Sequence, residues 1–593
     1  MVTKHILSAF SATSLLLMSG CGGSGSGGDS GTSEQTYTLS GTVSGLGDGA
    51  VLTLGLNGSE DVNLSGNGTF SFSTEIIDGG SYSITVERVT SSPELPILYD
   101  CSVNPSSGTM HADVPDINVS CDHLFYFLAT DGIHGQELWK TDGTGEDTVM
   151  VKDMHVGATG SNPANLTVMD NLLYFSASPD GIGGNELWRS DGTEAGTVML
   201  TSVTGATSEY GSYGFGPDNL TAVGDTLYLS GSLDTCGSEV FKVVDTDANV
   251  SLVRDIKPCD TYGEYEGAAY FTAVGDTLYF AIADDTSEFD ENNYMYLARL
   301  WRTTDTEENA TRVIDGITLW MAYGNTVLDG MLYFVADDGV NGKELWRTDA
   351  EQGAVMLKNI NPSGDAAPSD FAVMGGELYF TADDGTNDGL WKTDGTTTVL
   401  IKAFDGISDL IAIGDTLYFR GKDSRNYQAW KSDGTTEGTV MFKELRPGSS
   451  AAPSGWTQVG DSVYFRGKDA TGDYRLWKTV DTDENASVVA SDIEVSSINY
   501  MKAVGDTLYF VADDGNGAGL WKTVNTDGNV TKVLDVDSGS AIGTPSDYEY
   551  MYVVGDTLYF WAGDSTYGVE LWKTVAGGAR IVKDINAGLG DSK

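Results

Sequence analysis

Glu137-Leu138-Trp139-Lys140-Thr141-Asp142-Gly143-Thr144 is a phrase to which the chain keeps returning. Close copies stand at Glu186–Thr193, Glu344–Asp349, Leu390–Thr396, Ala429–Thr435 and Glu570–Thr574, and looser ones surround Phe241, Trp301, Trp477 and Trp521. A second phrase, Leu-Tyr-Phe or a near variant, precedes each. Its tyrosines are Tyr126, Tyr174, Tyr228, Tyr279, Tyr333, Tyr379, Tyr418, Tyr464, Tyr509 and Tyr559. Ten units result, with tyrosines 39 to 54 residues apart. Self-similarity at a period of about 40–50 residues marks a repeat array.

The unit at 371–402 shows what is repeated. Phe371–Met374, Leu378–Ala382, Leu390–Thr393 and Val399–Lys402 are short apolar runs separated by Gly375-Gly376, Asp383-Asp384-Gly385 and Asp394-Gly395. Four short runs with Gly and Asp turns predict an antiparallel meander. Asp-Gly between strands three and four suits a type I′ hairpin, with positive φ at both central residues. Gly-Asp between strands one and two (Gly224-Asp225, Gly275-Asp276, Gly414-Asp415, Gly505-Asp506, Gly555-Asp556) suits type II′, with Gly first.

In Leu-Tyr-Phe and Glu-Leu-Trp, adjacent large residues must point to opposite faces of the sheet. A sheet with one wet face would alternate apolar and polar. These sheets are therefore covered on both sides, most simply by neighbouring repeats, and four-stranded sheets packed face to face around an axis make a β-propeller. The expected fold is all-β, a large propeller of about ten four-stranded repeats preceded by a small β-sandwich. Ten exceeds the usual four to eight blades, so one ring and two smaller rings both stay open. The last unit ends at Lys593 after its fourth strand, the first lacks an obvious first strand, and no strand exchange between the ends is visible.

The two phrases resemble those of the bacterial ELWxxDGT repeat family, and the resemblance covers about 122–593. It implies a surface lipoprotein with β-propeller repeats. It implies no particular activity, because fold does not fix function.

Residues 1–20 read as a signal peptide: Lys4 and His5 give a weak basic start and Leu15–Met18 closes an apolar stretch. Met18-Ser19-Gly20-Cys21 resembles a bacterial lipobox, with Met18 where Leu is usual. That resemblance implies cleavage before Cys21 and lipidation of Cys21, and several acyl chains anchor stably. Gly22 follows, where an Asp would imply inner-membrane retention, so the outer membrane is the expected location. Residues 22–35 are Gly/Ser-rich, a flexible tether reaching roughly 20 Å. Residues 36–121 differ in texture. Strand-like runs at Thr36–Val43, Val51–Leu56, Thr69–Ser73, Tyr82–Val86 and Ile117–Val119 predict a small sandwich. It resembles the Ig-like modules that precede larger domains in bacterial surface lipoproteins.

Beyond Cys21, an even count of cysteines in an exported chain predicts disulfides. Order and domain boundaries pair Cys101 with Cys121 and Cys236 with Cys259. Cys236 falls between strands two and three of its unit and Cys259 follows strand four, positions at one end of a meander.

The net charge of −53, from 33 Lys+Arg against 86 Asp+Glu, excludes nucleic acid, which needs a basic surface. It also disfavours direct adhesion to anionic lipid, leaving the lipid anchor as the membrane contact. Most recurrent aspartates sit in tight turns, where backbone hydrogen bonding favours them. The cofactor that acidic loops would take is calcium, and the densest metal candidate is Asp284, Asp285, Glu288, Asp290 and Glu291, although no stretch matches a calcium-loop pattern.

Of five histidines, His5 belongs to the signal peptide; His111, His123, His134 and His155 show no metal-ligand or triad spacing. No catalytic residue is assigned. Irregular loops give the better functional clue. Residues 205–217 carry Tyr210, Tyr213 and Phe215; 259–267 carry Tyr262 and Tyr265; 284–296 carry Phe289, Tyr294 and Tyr296. The first two follow strand four and the third lies between strands two and three, so all three emerge on one face. Aromatics beside acids can stack on sugar rings or anchor a protein. The expected function is surface recognition of an extracellular glycan or protein through that face. The alternatives are a propeller hydrolase of polysaccharide, which needs two carboxylates about 5–10 Å apart, and a purely structural array.

Overall fold

The computed structural model describes residues 35–593 except 48–49, 91–95, 182–183, 204–206, 209–210, 213, 233–237, 245–248, 255–266, 283–288, 291–294, 297, 305–309, 321–323, 350–352, 424–425, 481–485, 490–492, 494–500, 515–517, 526–528, 536–550, 565, 588–591 and 593. Every described regular element is a β-strand.

Two sheets form the amino-terminal sandwich. One has the order Glu60–Leu64, Val51–Leu56, Ser81–Thr90, Ser107–Thr109. The other is built on Val114–Thr130, which pairs in parallel with Leu39–Ser44 and antiparallel with Ile97–Asn104, while Gly68–Ser71 pairs with Leu39–Ser44. Leu39, Val43, Leu54, Phe70, Ile84 and Val119 are among the side chains buried between them. The strand Val114–Thr130 does not stop at 121. It runs on as the second strand of the first propeller sheet, so the compositional boundary lies inside one strand. Cys101 and Cys121 face each other across this pairing and form a disulfide.

Ten antiparallel sheets follow, called blades 1 to 10, with strands a to d in each. In blade 2 the strands are Ala164–Met169, Leu172–Ala177, Glu186–Ser190 and Val198–Met199, paired in that order. Blades 3 to 10 occupy 218–254, 268–312, 318–356, 369–404, 406–443, 454–488, 501–535 and 551–581. Blade 1 takes its strand a from the sandwich. Ile97, Leu98 and Tyr99 pair with Phe125, Leu124 and His123, which supplies the strand that the sequence of the first unit lacks.

Each repeated apolar residue has a partner in the next blade. Tyr126, Leu138 and Val151 of blade 1 are buried with Leu173, Phe175 and Trp188 of blade 2. Equivalent cores lie between every later pair of neighbours up to blades 9 and 10. The tenth core returns to the start: Val554, Tyr559, Trp561 and Leu571 pack on Phe125, Phe127 and Trp139. The ten blades therefore form one closed ring.

Polar contacts between blades explain the rest of the phrase. The cation after the tryptophan reaches the turn glycine of the next blade: Lys140 Nζ donates to the Gly192 carbonyl at 2.8 Å, and Arg347 Nε to that of Gly395 at 2.8 Å. The Leu-Tyr-Phe tyrosine lies against the same glycine, so a Cβ at Gly192, Gly395 or Gly434 would overlap the hydroxyl of Tyr126, Tyr333 or Tyr379. A second cation, in or just past strand d, donates to the next blade: Lys152 to the Thr197 carbonyl, Lys358 to Thr398 and Lys402 to Thr439. Blade 10 repeats both contacts on blade 1. Tyr559 and Lys573 flank Gly143, and Lys583 Nζ donates to the Thr148 carbonyl at 2.7 Å. Burial pushes the Tyr559 hydroxyl up to about 12, and burial, with Arg580 nearby, lowers Lys573.

Closure needs no exchanged strand. In internal blades the residue at or just past the end of strand b donates its N–H to a carbonyl just before strand a, as in Ser178 to Ser161, Asp383 to Ala366 and Lys468 to Ala451. Thr130, at the end of strand b of blade 1, donates in the same way to Ser592 at 2.9 Å. The carboxy-terminal segment thus occupies the place of a d–a loop, and Ile97–Tyr99 occupies strand a.

The turns correct one expectation. In the Asp-Gly-Thr turns only the glycine has positive φ (Gly143 90°, Gly192 85°, Gly395 84°, Gly434 85°), so they are not type I′. The aspartate instead accepts the N–H and hydroxyl of the threonine two residues on, a side-chain mimic of a backbone turn: Asp191 with Thr193, Asp394 with Thr396, Asp433 with Thr435. Type I′ geometry occurs at a–b turns, at Asp170-Asn171, Asp329-Gly330 and Gly375-Gly376, where both central residues have positive φ. The a–b turns Gly224-Asp225, Gly275-Asp276, Gly414-Asp415, Gly505-Asp506 and Gly555-Asp556 have positive φ at glycine alone, as type II′ requires.

Candidate functional site

Alternating strand direction puts the a–b and c–d turns on one face of the ring and the b–c and d–a loops on the other. The sandwich sits on the a–b face. Arg88 pairs with Asp170 and Asp225, each at 3.1 Å, and donates to the Gly224 carbonyl. The Tyr99 N–H donates to Asn171 Oδ1 at 3.1 Å. A Cβ at Gly47 would lie 3.5 Å from the nitrogen of Gly555, in the a–b turn of blade 10. The b–c and d–a loops face the other way.

The glutamate that opens the phrase positions these loops. Glu137, Glu344 and Glu570 are fully buried, and their oxygens accept backbone N–H groups of the d–a loop. Glu344 takes those of Ile360 and Asn361, each at 3.0 Å; Glu570 takes those of Ile585 and Asn586. Burial raises the Glu344 carboxyl to about 7, with Asp365 and Asp338 adding to the rise against those two hydrogen bonds. Burial likewise raises Glu137 and Glu570. Gln428 stands at this place in blade 7: its Oε1 accepts the N–H groups of Leu445 and Arg446, as the glutamates accept theirs, and its amide also donates to the Arg446 and Ser449 carbonyls. The glutamates are loop clamps.

Aspartates fix the b–c loops. Asp131 accepts the N–H groups of Ile133 and His134, Asp338 those of Val340 and Asn341, and Asp384 those of Thr386 and Asn387. The loop tips they hold carry exposed apolar side chains, Ile133 at 67% and Val340 at 85%, and Val156 of a d–a loop on the same face is 83% exposed. In blade 6 an open recess of about 400 Å³ lies between the b–c loop and the start of the d–a connection, lined by Asp383, Asp388, Phe404 and Asp405 among others. Burial and the neighbouring Asp383 raise the Asp388 carboxyl.

Phe215 is a correction. It was expected among ligand-binding aromatics, but it is fully buried, edge-on to Phe241 with ring centroids 4.8 Å apart. The reason is volume. Gly231 ends strand b where blade 2 has Ala177, and the Phe215 ring fills the space, so a Cβ at Gly231 would sit 2.6 Å from it. Of the other expected aromatics, Phe289 and Tyr296 are direct register partners in a two-stranded ribbon between strands b and c of blade 4. Tyr210, Tyr213, Tyr262, Tyr265 and Tyr294 lie outside the described residues, as do Asp284, Asp285, Glu288, Glu291, Cys21, Cys236 and Cys259. Asp290 belongs to the same ribbon. Among the described residues no three His, Cys, Asp or Glu side chains converge as a metal site requires. The histidines do not gather: His111 pairs with Asp78, and His134 with Asp131, whose hydrogen bond raises the imidazole.

One exposed aromatic was not anticipated. Tyr270, 47% exposed, lies on strand a of blade 4, three residues beyond the end of the irregular loop at Gly267. The signal was an aromatic where other units carry Asn, Asp or Gly.

No family model matches the chain, and no curated protein matches it. Among solved structures, a structure from a study of two prolyl endopeptidases is similar with a TM-score of 0.31 and 12% identity, covering 62% of this chain and 55% of that one. This chain thus spans about half the length of that protein. The β-propeller domain of the Trilobed protease from Pyrococcus furiosus scores 0.29 at 9% identity, covering 54% of this chain and 84% of that one. TolB from Acinetobacter baumannii scores 0.24 at 11% identity, covering 53% and 77%. Likenesses this weak say nothing of activity.

Proposed function

We propose that the protein is an exported, lipid-anchored recognition module of the ELWxxDGT-repeat kind, which presents the b–c/d–a face of its propeller to an extracellular glycan or protein. One observation carries the reading. The sandwich, to which the Gly/Ser-rich segment leads, docks on the a–b turns of blades 2, 3 and 10, so the opposite face is directed away from the anchored end. Two features of that face support it. Its loops are held by buried carboxylates and side-chain turns, which limits the ordering cost of binding. Their tips expose Ile133, Val156 and Val340, apolar groups of the kind that anchor partners. The acidic surface directs the choice of ligand away from polyanions.

The test is binding of the chain from Gln35 onward, which carries every described strand, to an array of polysaccharides, host glycans and extracellular proteins, with calcium and with chelator. The Ile133→Asp/Val340→Asp variant alters the proposed face, and Asp415→Lys/Asp506→Lys alters a–b turns. The expected result is a specific hit weakened by changes on the first face and untouched by the last. A hit abolished only by the a–b variant, or silence across the array, would contradict the proposal.

A further inference from the structure

Six of the described innermost strands share a bulge. Registers shift between Ala164 and Thr167, Asp218 and Thr221, Ala269 and Thr272, Ser369 and Ala372, Ser408 and Ile411, and Ser454 and Thr457. Within each bulge one residue has positive φ: Asn165 (56°), Asn219 (54°), Tyr270 (56°), Asp370 (51°), Asp409 (57°) and Gly455 (69°). Asn, Asp and Gly adopt this left-handed conformation readily, whereas a bulky side chain there is an outlier. Tyr270 alone of the six is bulky.

The structural use of the position does not call for tyrosine. Asn165 and Asn219 use it to join blades: their amides donate to the Pro217 and Ala268 carbonyls, at 3.2 and 3.4 Å, just before or at the start of the next innermost strand. Tyr270 has no amide to give. Nor is it held by packing, since it is 47% exposed and belongs to neither core flanking blade 4, while its neighbour Phe271 does. A strained backbone that carries an exposed aromatic ring is the pattern of a ligand contact rather than of a structural residue. Bulges commonly re-aim a side chain beside a functional site.

Its location fits. First strands of neighbouring blades approach one another around the axis, and Tyr270 is the third residue of Ala268–Val274, near the end of the strand that meets the d–a face. The adjoining innermost strand, Asp218–Val223, begins with the exposed Asp218. A flat ring with a polar edge suits the apolar face and hydroxyls of a pyranose. A chain of net charge −53 repels anionic glycans. We infer that Tyr270 is the stacking platform of a neutral-sugar subsite at the d–a mouth of the ring. This deepens the recognition reading and rests on it.

The test is calorimetric titration of the chain from Gln35 onward with cellohexaose, laminarihexaose, xylohexaose, mannohexaose and chitohexaose, alongside Tyr270→Asn and Tyr270→Phe, with melting temperatures for all three proteins. Tyr270→Asn is expected to weaken binding of the sugar that the wild type takes by about tenfold or more. It should also melt higher, because Asn accepts the backbone conformation. Tyr270→Phe should keep most of the affinity. Unchanged binding by Tyr270→Asn would overturn the subsite while leaving recognition by the face intact. A lower melting temperature for Tyr270→Asn would make the residue structural and overturn the inference. Failure of the wild type to bind any of the five sugars would overturn the neutral-sugar assignment, with the protein arm of the array deciding separately whether the face recognises anything.

Discussion

Glu344 has no solvent-exposed surface, and two backbone N–H groups of the following loop point at its oxygens. Its carboxyl, raised to about 7 by burial, lies above the ordinary glutamate value of 4.5. A group raised on folding stabilises fully below its unfolded value, and that stability is lost as pH rises through the folded one. The protein is therefore expected to melt at progressively lower temperature from about pH 5 to pH 8, with Glu137 and Glu570 acting in the same direction. Glu344→Gln, which copies Gln428, should fold and should flatten this slope in thermal melts; a slope unchanged or steeper in the variant would show that Glu344 is ionised in the fold. Glycine at the repeated turn is the second residue-scale determinant. Gly434→Ala combines a left-handed backbone at φ 85° with overlap on the Tyr379 hydroxyl and should cost roughly 2–4 kcal/mol in chemical denaturation. Tyr379→Phe in that background should recover part of the loss, and a purely additive pair would mean that hydroxyl and glycine do not meet.

Strands and turns show how far the sequence could be read. Leu-Tyr-Phe and Glu-Leu-Trp put large groups on both sheet faces, and every blade built on them is present, because that pattern reports local burial. Strand a of blade 1 was not legible, since it comes from Ile97–Asn104, upstream of the compositional boundary and shared with the sandwich. Asp-Gly was misread as type I′ because the pair alone does not reveal that a threonine two residues on will capture the aspartate. Phe215 was misassigned because the missing volume that it fills, at Gly231, belongs to another strand. Tyr270 was overlooked because it lies past the irregular loops, and its oddity shows only when the first strands of the units are compared position by position. The shared strand pair carries its own prediction. Cys101→Ser/Cys121→Ser opens a bridge with a sequence separation of 20, which should cost about 3 kcal/mol. In hydrogen exchange the faster amides should be confined to Ile97–Asn104 and the strand facing it; acceleration spread evenly over all blades would show that the bridge does not act at this junction.

At the scale of the molecule, every functional statement depends on the ring being single and closed. A face, a central mouth and a sandwich on the opposite side exist only if blade 10 meets blade 1 as internal neighbours meet each other. The contacts say that it does: Tyr559 and Lys573 on Gly143, Lys583 on Thr148, and Ser592 on Thr130. Removing 585–593 takes away the hydrogen bonds of Ile585, Asn586 and Ser592 to Glu570 and the bond from Thr130, so limited proteolysis should then cut blades 1 and 10 first, while blades 6 and 7 stay protected. The most direct measurement is a pair of spin-label distances, with labels carried on non-natural residues at the exposed positions Glu146, Glu194 and Ala576, in the c–d turns of blades 1, 2 and 10. One closed ring of ten predicts that Glu146–Ala576 gives a single narrow distance similar to Glu146–Glu194, the spacing of adjacent blades. A much longer or broad Glu146–Ala576 distance would contradict it, placing blade 1 and blade 10 in separate rings or in an open one.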